Sequence, residues 1–270
     1  MPELPEVETS LRGIEPFITN KKVKKVIIRN ANLRWPIPVK IKKDLANQNI
    51  TKVSRRAKYL LFETQAGTVI LHLGMSGHLR IIDKDSPVKK HDHVDLVFEH
   101  CVLRYHDPRR FGSIHWTQEP HEQHRLIQPL GPEPLGGTFN GRHLQSMAEN
   151  RRVNIKAFIM NSRIVVGVGN IYACESLFKA GIHPEKAVNC ISLKDFVSLA
   201  KEIKRVLKKA ITAGGTTLKD FTNANGKPGY FTQSLNVYAR EGKPCPKCHT
   251  NIKKIIQNQR STFYCPKCQT

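Results

Sequence analysis

The sequence predicts an α+β chain of more than one domain: an N-terminal helix plus two-sheet antiparallel β-structure, then a helical domain and a cysteine-paired C-terminal hairpin. Three observations carry this. The apolar spacing changes from a helical to a strand period near residue 23, and it returns to a helical period beyond a Pro- and Gly-rich stretch near residue 130. The chain then ends in two Cys-x-x-Cys pairs. A length of 270 residues suits one large domain or two small ones. The changes of character place domains at 1–128 and 140–236, a linker at 129–139 and a terminal hairpin unit at 237–270.

Leu4, Val7, Leu11 and Ile14 recur at three and four residues and so share one face of a helix over residues 3–18. Pro5 fits because it lies in the first turn, where a missing N–H costs no hydrogen bond. Residues 23–29, 59–64, 68–73, 93–99 and 102–106 read as strands separated by turn signals such as Gln65-Ala-Gly67. No helix-length crossover separates them, which argues for antiparallel sheets in a sandwich or a flattened barrel. The run Pro129-Leu-Gly-Pro-Glu-Pro-Leu-Gly-Gly137 has no period and reads as the linker. Helices are expected at 139–149, 154–161, 170–180 and 193–213, with Gly181 and Gly214 just past the last two. Ser192 can cap the longest, whose Phe196, Leu199, Ile203, Val206 and Leu207 make its apolar stripe.

Cys245-Pro-Lys-Cys248 and Cys265-Pro-Lys-Cys268 are separated by 16 residues, a spacing that suits one tetrahedral structural zinc. The intervening segment 252–264 is short enough for a single hairpin that brings the two knuckles together. Four thiolates leave the metal no open position, so it holds structure and does no catalysis. Two disulfides are the competing arrangement, disfavoured in a reducing compartment. Cys101, Cys174 and Cys190 stand alone beside apolar residues and are expected to be buried free thiols.

The chain has 44 Lys and Arg against 22 Asp and Glu, a formal charge of +22. That excess points to a polyanionic partner. The basic residues are spread over several segments and form no single amphipathic helix, which favours nucleic acid over an anionic membrane. No apolar run is long enough to cross a bilayer, and the start is acidic where a secretion signal is basic. The expected location is the bacterial cytoplasm, with access to the chromosome, and the expected state is a monomer.

Several segments, taken together and in order, closely resemble bacterial formamidopyrimidine-DNA glycosylases. They are Met1-Pro-Glu-Leu-Pro-Glu-Val-Glu-Thr9, Arg56-Ala-Lys-Tyr59, His72-Leu-Gly-Met-Ser-Gly77, Asp107-Pro-Arg-Arg-Phe-Gly112, Gly167-Val-Gly-Asn-Ile-Tyr172, Gly214-Gly-Thr-Thr217, Gly226-Lys-Pro-Gly-Tyr-Phe231 and the terminal cysteines. The resemblance covers essentially the whole chain. It implies an N-terminal helix on a two-sheet β-sandwich, a helical domain with a helix-two-turn-helix element, and a zinc finger with four cysteine ligands. It also implies excision of 8-oxoguanine and formamidopyrimidines from double-stranded DNA, followed by strand cleavage at the abasic site through β- and δ-elimination.

On that resemblance, Pro2 is the nucleophile once Met1 is removed. An α-amine titrates at about 7.7 to 8.0, so a useful fraction is unprotonated near neutrality, unlike an ordinary lysine. Its attack on deoxyribose C1′ expels the base and leaves an iminium ion that stays cationic, because a secondary amine has no second proton to lose. Glu3 is assigned to proton transfer at the sugar and Glu6 to orienting the amine, although acids also favour a helix N-terminus for electrostatic reasons alone. Lys58 is carried over as a strand-borne lysine near the lesion that binds a flanking phosphate or assists the departing base. Met75, Arg109 and Phe111 are the residues implied to fill the gap left by a flipped nucleotide, Arg109 facing the orphaned cytosine; without the motif, Met75 and Phe111 read as core. His91, Arg110, Lys156, Asn170, Tyr238 and Arg260 are the implied contacts to the DNA backbone; Asn170 can equally cap a helix, and Arg260 can equally be a solvated turn residue. Thr216, Thr217, Leu218 and Lys219 are the expected reading segment for the extruded base.

Two rival readings remain at this level. A related family removes oxidised pyrimidines with the same proline chemistry but different gap-filling residues. A non-catalytic zinc-dependent DNA-binding protein would share the charge and the cysteines, but has no need of a proline behind Met1 with acids one and four residues on.

Overall fold

A computed structural model describes residues 2–214 and 235–270. They fall into two compact units, the first within residues 1–128 and the second made of Pro129–Thr212 and the residues from 235 onward.

The first unit opens with α1 (Leu4–Ile18), closed at its start by a reciprocal capping box in which the Glu3 N–H donates to Glu6 Oε2 at 2.8 Å. Leu4, Val7, Leu11, Ile14 and Ile18 are all buried, as the spacing requires. Then come β1 (Lys25–Ile28), the short α2 (Ile41–Asp44), β2 (Lys52–Arg56), β3 (Tyr59–Thr64), β4 (Gly67–His72), β5 (His78–Ile82), β6 (Asp92–Val97), β7 (Val102–His106) and β8 (Ser113–Thr117). They build two antiparallel four-stranded sheets, in the orders β1-β6-β7-β5 and β2-β3-β4-β8.

Leu60, Phe62, Val69, Leu71 and Trp116 of one sheet share a single apolar core with Val26, Val94, Leu96, Leu103 and Tyr105 of the other, and Val7, Leu11 and Ile14 of α1 join it. Two distinct sheets over one core make a sandwich, not a closed barrel. Strands β2, β5 and β8 lie outside the segments that periodicity singles out. β2 has one buried residue and β5 one, whereas every residue of β8 is buried, so none shows a clean alternation of apolar and polar positions.

The second unit contains α3 (Gly141–Ala148), α4 (Ile155–Ile159), α5 (Asn170–Ala180), α6 (Leu193–Thr212) and the hairpin β9 (Lys253–Gln257) to β10 (Arg260–Tyr264). Asn140 and Asn154 cap α3 and α4 through their side-chain oxygens. The Ser192 hydroxyl accepts the Asp195 N–H ahead of α6, as its type and place suggest. The hairpin turns through Asn258 and Gln259, both at positive φ, the form that follows the twist of a two-residue connection. Among the described residues no helix is long and apolar enough to cross a membrane.

Candidate active site and metal centre

Pro2 is buried directly ahead of α1, beside two buried carboxylates, Glu3 and Glu6, which are 3% and 1% exposed. The capping box gives both acids a structural role whatever else they do. Glu6 holds the Glu3 N–H, fixing the backbone next to Pro2.

Lys58 is not borne on a strand. It sits with Ala57 in the tight turn between β2 and β3, Ala57 taking φ 55. Pairing of Arg56 with Tyr59 leaves only two residues to reverse the chain, and that places Lys58 at a hairpin tip. Arg55 secures this tip by donating to the Ala57 carbonyl at 2.8 Å and to Glu8 Oε2 of α1 at 2.9 Å.

The turn lies close to His72, the first residue of the His72–Gly77 motif. Burial first, then the nearby charges of Lys58 and Arg34, push the His72 pKa down to about 4. The ring is therefore neutral near pH 7, and its Nδ1 accepts the Gly74 N–H at 3.0 Å.

From His72 a groove of about 720 Å³ runs past Asn32, Leu33, Arg34, Gly74, Met75, Arg109, Arg110 and Phe111. Met75 and Phe111 are 37% and 45% exposed, so the core reading open to them in the sequence does not hold. The Arg109 guanidinium lies 4.7 Å from the centre of the Phe111 ring, a cation-π contact that aligns the two side chains. Gly74, at φ +68, lets the two loops touch: a Cβ there would collide with the Gly112 nitrogen. Arg110 is exposed at φ 55, and His91 is half-buried with its ring 5.8 Å from that of His106.

The remaining backbone-contact candidates belong to the second unit. Lys156 is 2% exposed, and its ammonium donates to Thr262 Oγ1 of β10 at 2.5 Å, so it braces the hairpin. Asn170 is the first residue of α5, not its cap; Gly169 takes that place, and the Asn170 side-chain amide donates to the Ser261 carbonyl at 2.8 Å. Tyr238 packs edge-on against Phe263 at 5.1 Å, and its N–H donates to Glu175. Glu175, 1% exposed, also accepts the N–H groups of Asn236 and Val237 and was not singled out in the sequence. Arg260 is exposed directly after the hairpin turn, beside Asn154, Lys156 and Asn161 along a second, smaller groove. Thr216, Thr217, Leu218, Lys219 and the segment 226–231 lie outside the described residues.

Cys245, Cys248, Cys265 and Cys268 bring their four Sγ atoms within 4.8 Å of one another. The Cys245–Cys268 and Cys248–Cys265 separations are 3.9 and 3.4 Å, too long for an S–S bond and close to the roughly 3.8 Å edge of a tetrahedron with Zn–S bonds of about 2.3 Å. The donor set thus fits zinc, with no position left for substrate. Cys101 and Cys174 are buried thiols as expected, but Cys190 is exposed, because it ends a short turn ahead of α6 instead of entering a helix face.

Three family models match the chain: the formamidopyrimidine-DNA glycosylase N-terminal domain at residues 1–114, the H2TH domain of the same enzymes at 130–222, and a zinc finger found in FPG and IleRS at 242–270. A formamidopyrimidine-DNA glycosylase of Hydrogenovibrio crunogenus is 52% identical over 270 residues, covering 100% of this chain and 96% of that protein. One of Alcanivorax borkumensis is 55% identical over 270 residues and covers 100% of both. Among solved structures, wild-type Lactococcus lactis Fpg (MutM) in complex with N7-benzyl-Fapy-dG DNA superposes with a TM-score of 0.92 at 34% identity, covering 100% of both chains. The MutM (FPG) protein of Thermus thermophilus gives 0.90 at 32% identity, covering 99% of this chain and 98% of that one.

Proposed function

Since the chain belongs to the formamidopyrimidine-DNA glycosylase family, we propose that it excises oxidised purines from duplex DNA and then cleaves the strand at the resulting abasic site. The observation that carries the purine reading is the exposed Met75, Arg109 and Phe111 set along one groove, the combination that resembles the purine enzymes and not their pyrimidine-specific relatives.

Pro2 nitrogen, freed by loss of Met1, attacks C1′ of the flipped nucleotide while Glu3 passes a proton to the sugar as its ring opens. The base leaves, and the resulting iminium draws electrons from the C2′–H bond, so that the 3′ and then the 5′ phosphate depart. Glu6 fixes the backbone that carries the amine. Lys58, at the turn that Arg55 holds, binds a flanking phosphate or assists the departing base.

Flipping costs a few kcal/mol of stacking and pairing. Met75 and Phe111 offset that cost by entering the stack, and Arg109 hydrogen-bonds the cytosine left behind. His91, Arg110, Lys156, Asn170, Tyr238 and Arg260 grip the backbone, Lys156 chiefly by bracing the hairpin that presents Arg260. Thr216, Thr217, Leu218 and Lys219 are the residues assigned to reading the oxidised base. Cys245, Cys248, Cys265 and Cys268 would hold a zinc that ties the two knuckles together, and four thiolate ligands would leave it no open position for substrate.

The domain scheme of 1–128, 140–236 and 237–270 around a linker at 129–139 accompanies this reading, as do a monomeric state and a place in the cytoplasm at the chromosome. The deciding measurement is turnover of duplexes carrying 8-oxoguanine or thymine glycol, side by side, with borohydride trapping read by mass spectrometry. The purine lesion should be preferred and the adduct should map to Pro2. Preference for thymine glycol, or an adduct confined to a lysine, overturns the assignment.

A further inference from the structure

One carboxylate, unused by the chemistry above, closes both loops that carry the gap-filling residues. Asp107 is 0% exposed. Its Oδ1 accepts the Ser76 hydroxyl at 2.7 Å, and its Oδ2 accepts the Tyr105 hydroxyl at 3.0 Å and the Gly112 N–H at 2.9 Å. Ser76 Oγ in turn accepts the Arg109 N–H at 3.2 Å. Met75 therefore precedes Ser76, Phe111 precedes Gly112, and the Arg109 N–H is bonded to Ser76 as well.

The backbone of Asp107 is held as firmly. Its N–H donates to the His91 carbonyl at 3.0 Å, and its carbonyl lies 2.8 Å from His93 Nε2. Space around it is closed: a Cβ on Gly112 would collide with the Tyr105 hydroxyl. Burial and the neighbouring carboxylate raise the Tyr105 pKa well above its ordinary value, so its hydroxyl remains a donor.

We propose that Asp107 is a positioning residue that sets the spacing of Met75, Arg109 and Phe111 and thereby determines selectivity for the base opposite the lesion. The inference rests on the glycosylase reading above. Three donors converge on two oxygens that must both accept, and a carboxylate side chain can meet that demand where an amide cannot. In Asp107→Asn, either the amide faces the Gly112 N–H and Tyr105 hydroxyl, setting donors against donors, or it faces Ser76 and leaves that hydroxyl without an acceptor. Each orientation frees one side of the clamp while the volume is unchanged.

The test compares wild type, Asp107→Asn and Ser76→Ala on three duplexes: 8-oxoguanine opposite cytosine, 8-oxoguanine opposite adenine, and a preformed abasic site. Ser76→Ala removes a single branch of the network and remains informative if Asp107→Asn does not fold. Excision opposite cytosine should fall about tenfold or more in Asp107→Asn and less in Ser76→Ala, as expected for an unsatisfied buried donor. The cytosine-to-adenine preference should fall in both, while cleavage at the abasic site changes by less than about threefold, because Pro2 and its acids are untouched. Equal losses on all three duplexes, or an unchanged cytosine-to-adenine ratio, overturn the proposal. Wild type inactive on both lesion duplexes instead defeats the glycosylase reading itself.

Discussion

Glu3 holds two positions at once, next to Pro2, the proposed nucleophile, and at the cap of α1, and a single substitution separates them. Gln at this site keeps a carbonyl oxygen for the cap but has no proton to give. Glu3→Gln should therefore cost less than about 1 kcal/mol of stability in urea unfolding, while base excision drops at least about 100-fold. A variant that unfolds easily and excises at full rate would reverse the two roles. Retention of Met1, enforced by inhibiting its aminopeptidase so that Pro2 stays in place, should abolish borohydride trapping with duplex affinity altered by less than about threefold. At this scale the sequence was only partly legible. Pro2, Glu3 and Glu6 stand out because they are crowded at one end. Asp107 does not, because nothing in the run Asp107-Pro-Arg-Arg shows that the fold buries this carboxylate completely. The resemblance carries Lys58 over as strand-borne, and the two-residue turn that holds it instead contains neither Gly nor Asn, the usual signals for positive φ.

The finger is the element most plainly written in the chain, since ligand type and spacing alone fix its four donors. Its apolar floor was not legible: Cys174 and Phe178 of α5 pack with Val237, Ile252, Phe263 and the knuckle cysteines in one cluster. A unit this small gains much of its folding energy from metal. Cys265→Ser, or prolonged exposure to a strong chelator, should release one zinc per chain, measurable by colorimetric assay. It should also weaken duplex binding by about tenfold or more through loss of the Arg260 presentation. Unchanged affinity after complete metal loss would remove the hairpin from the interface. The strands missed in the sequence have a common cause. β2 and β5 carry charges that find partners across the sheet, such as Arg80 with Asp92 at 2.7 Å, and β8 is buried on both faces, so burial and polarity part company.

Charge and titration act on the molecule as a whole. With a formal charge of +22, duplex affinity should fall steeply with salt, and Arg260→Ala should reduce the slope of log K against log salt by about 1. An unchanged slope would place that arginine away from phosphate. Burial, as the leading cause, holds His72, His78 and His115 at pKa values of about 4, below the 6.5 of an unfolded chain. Between those limits the unfolded state binds more protons, so their contribution to stability is present above pH 6.5 and is lost as pH falls towards 4. The unfolding midpoint should drop across that window, and a flat profile would show the three rings to be solvated. The floor shared by α5 and the knuckles has a further result: grafted alone onto another protein, this finger would keep its ligands but bare the apolar face that Phe178 now covers, so a new host must offer an apolar surface where α5 now lies.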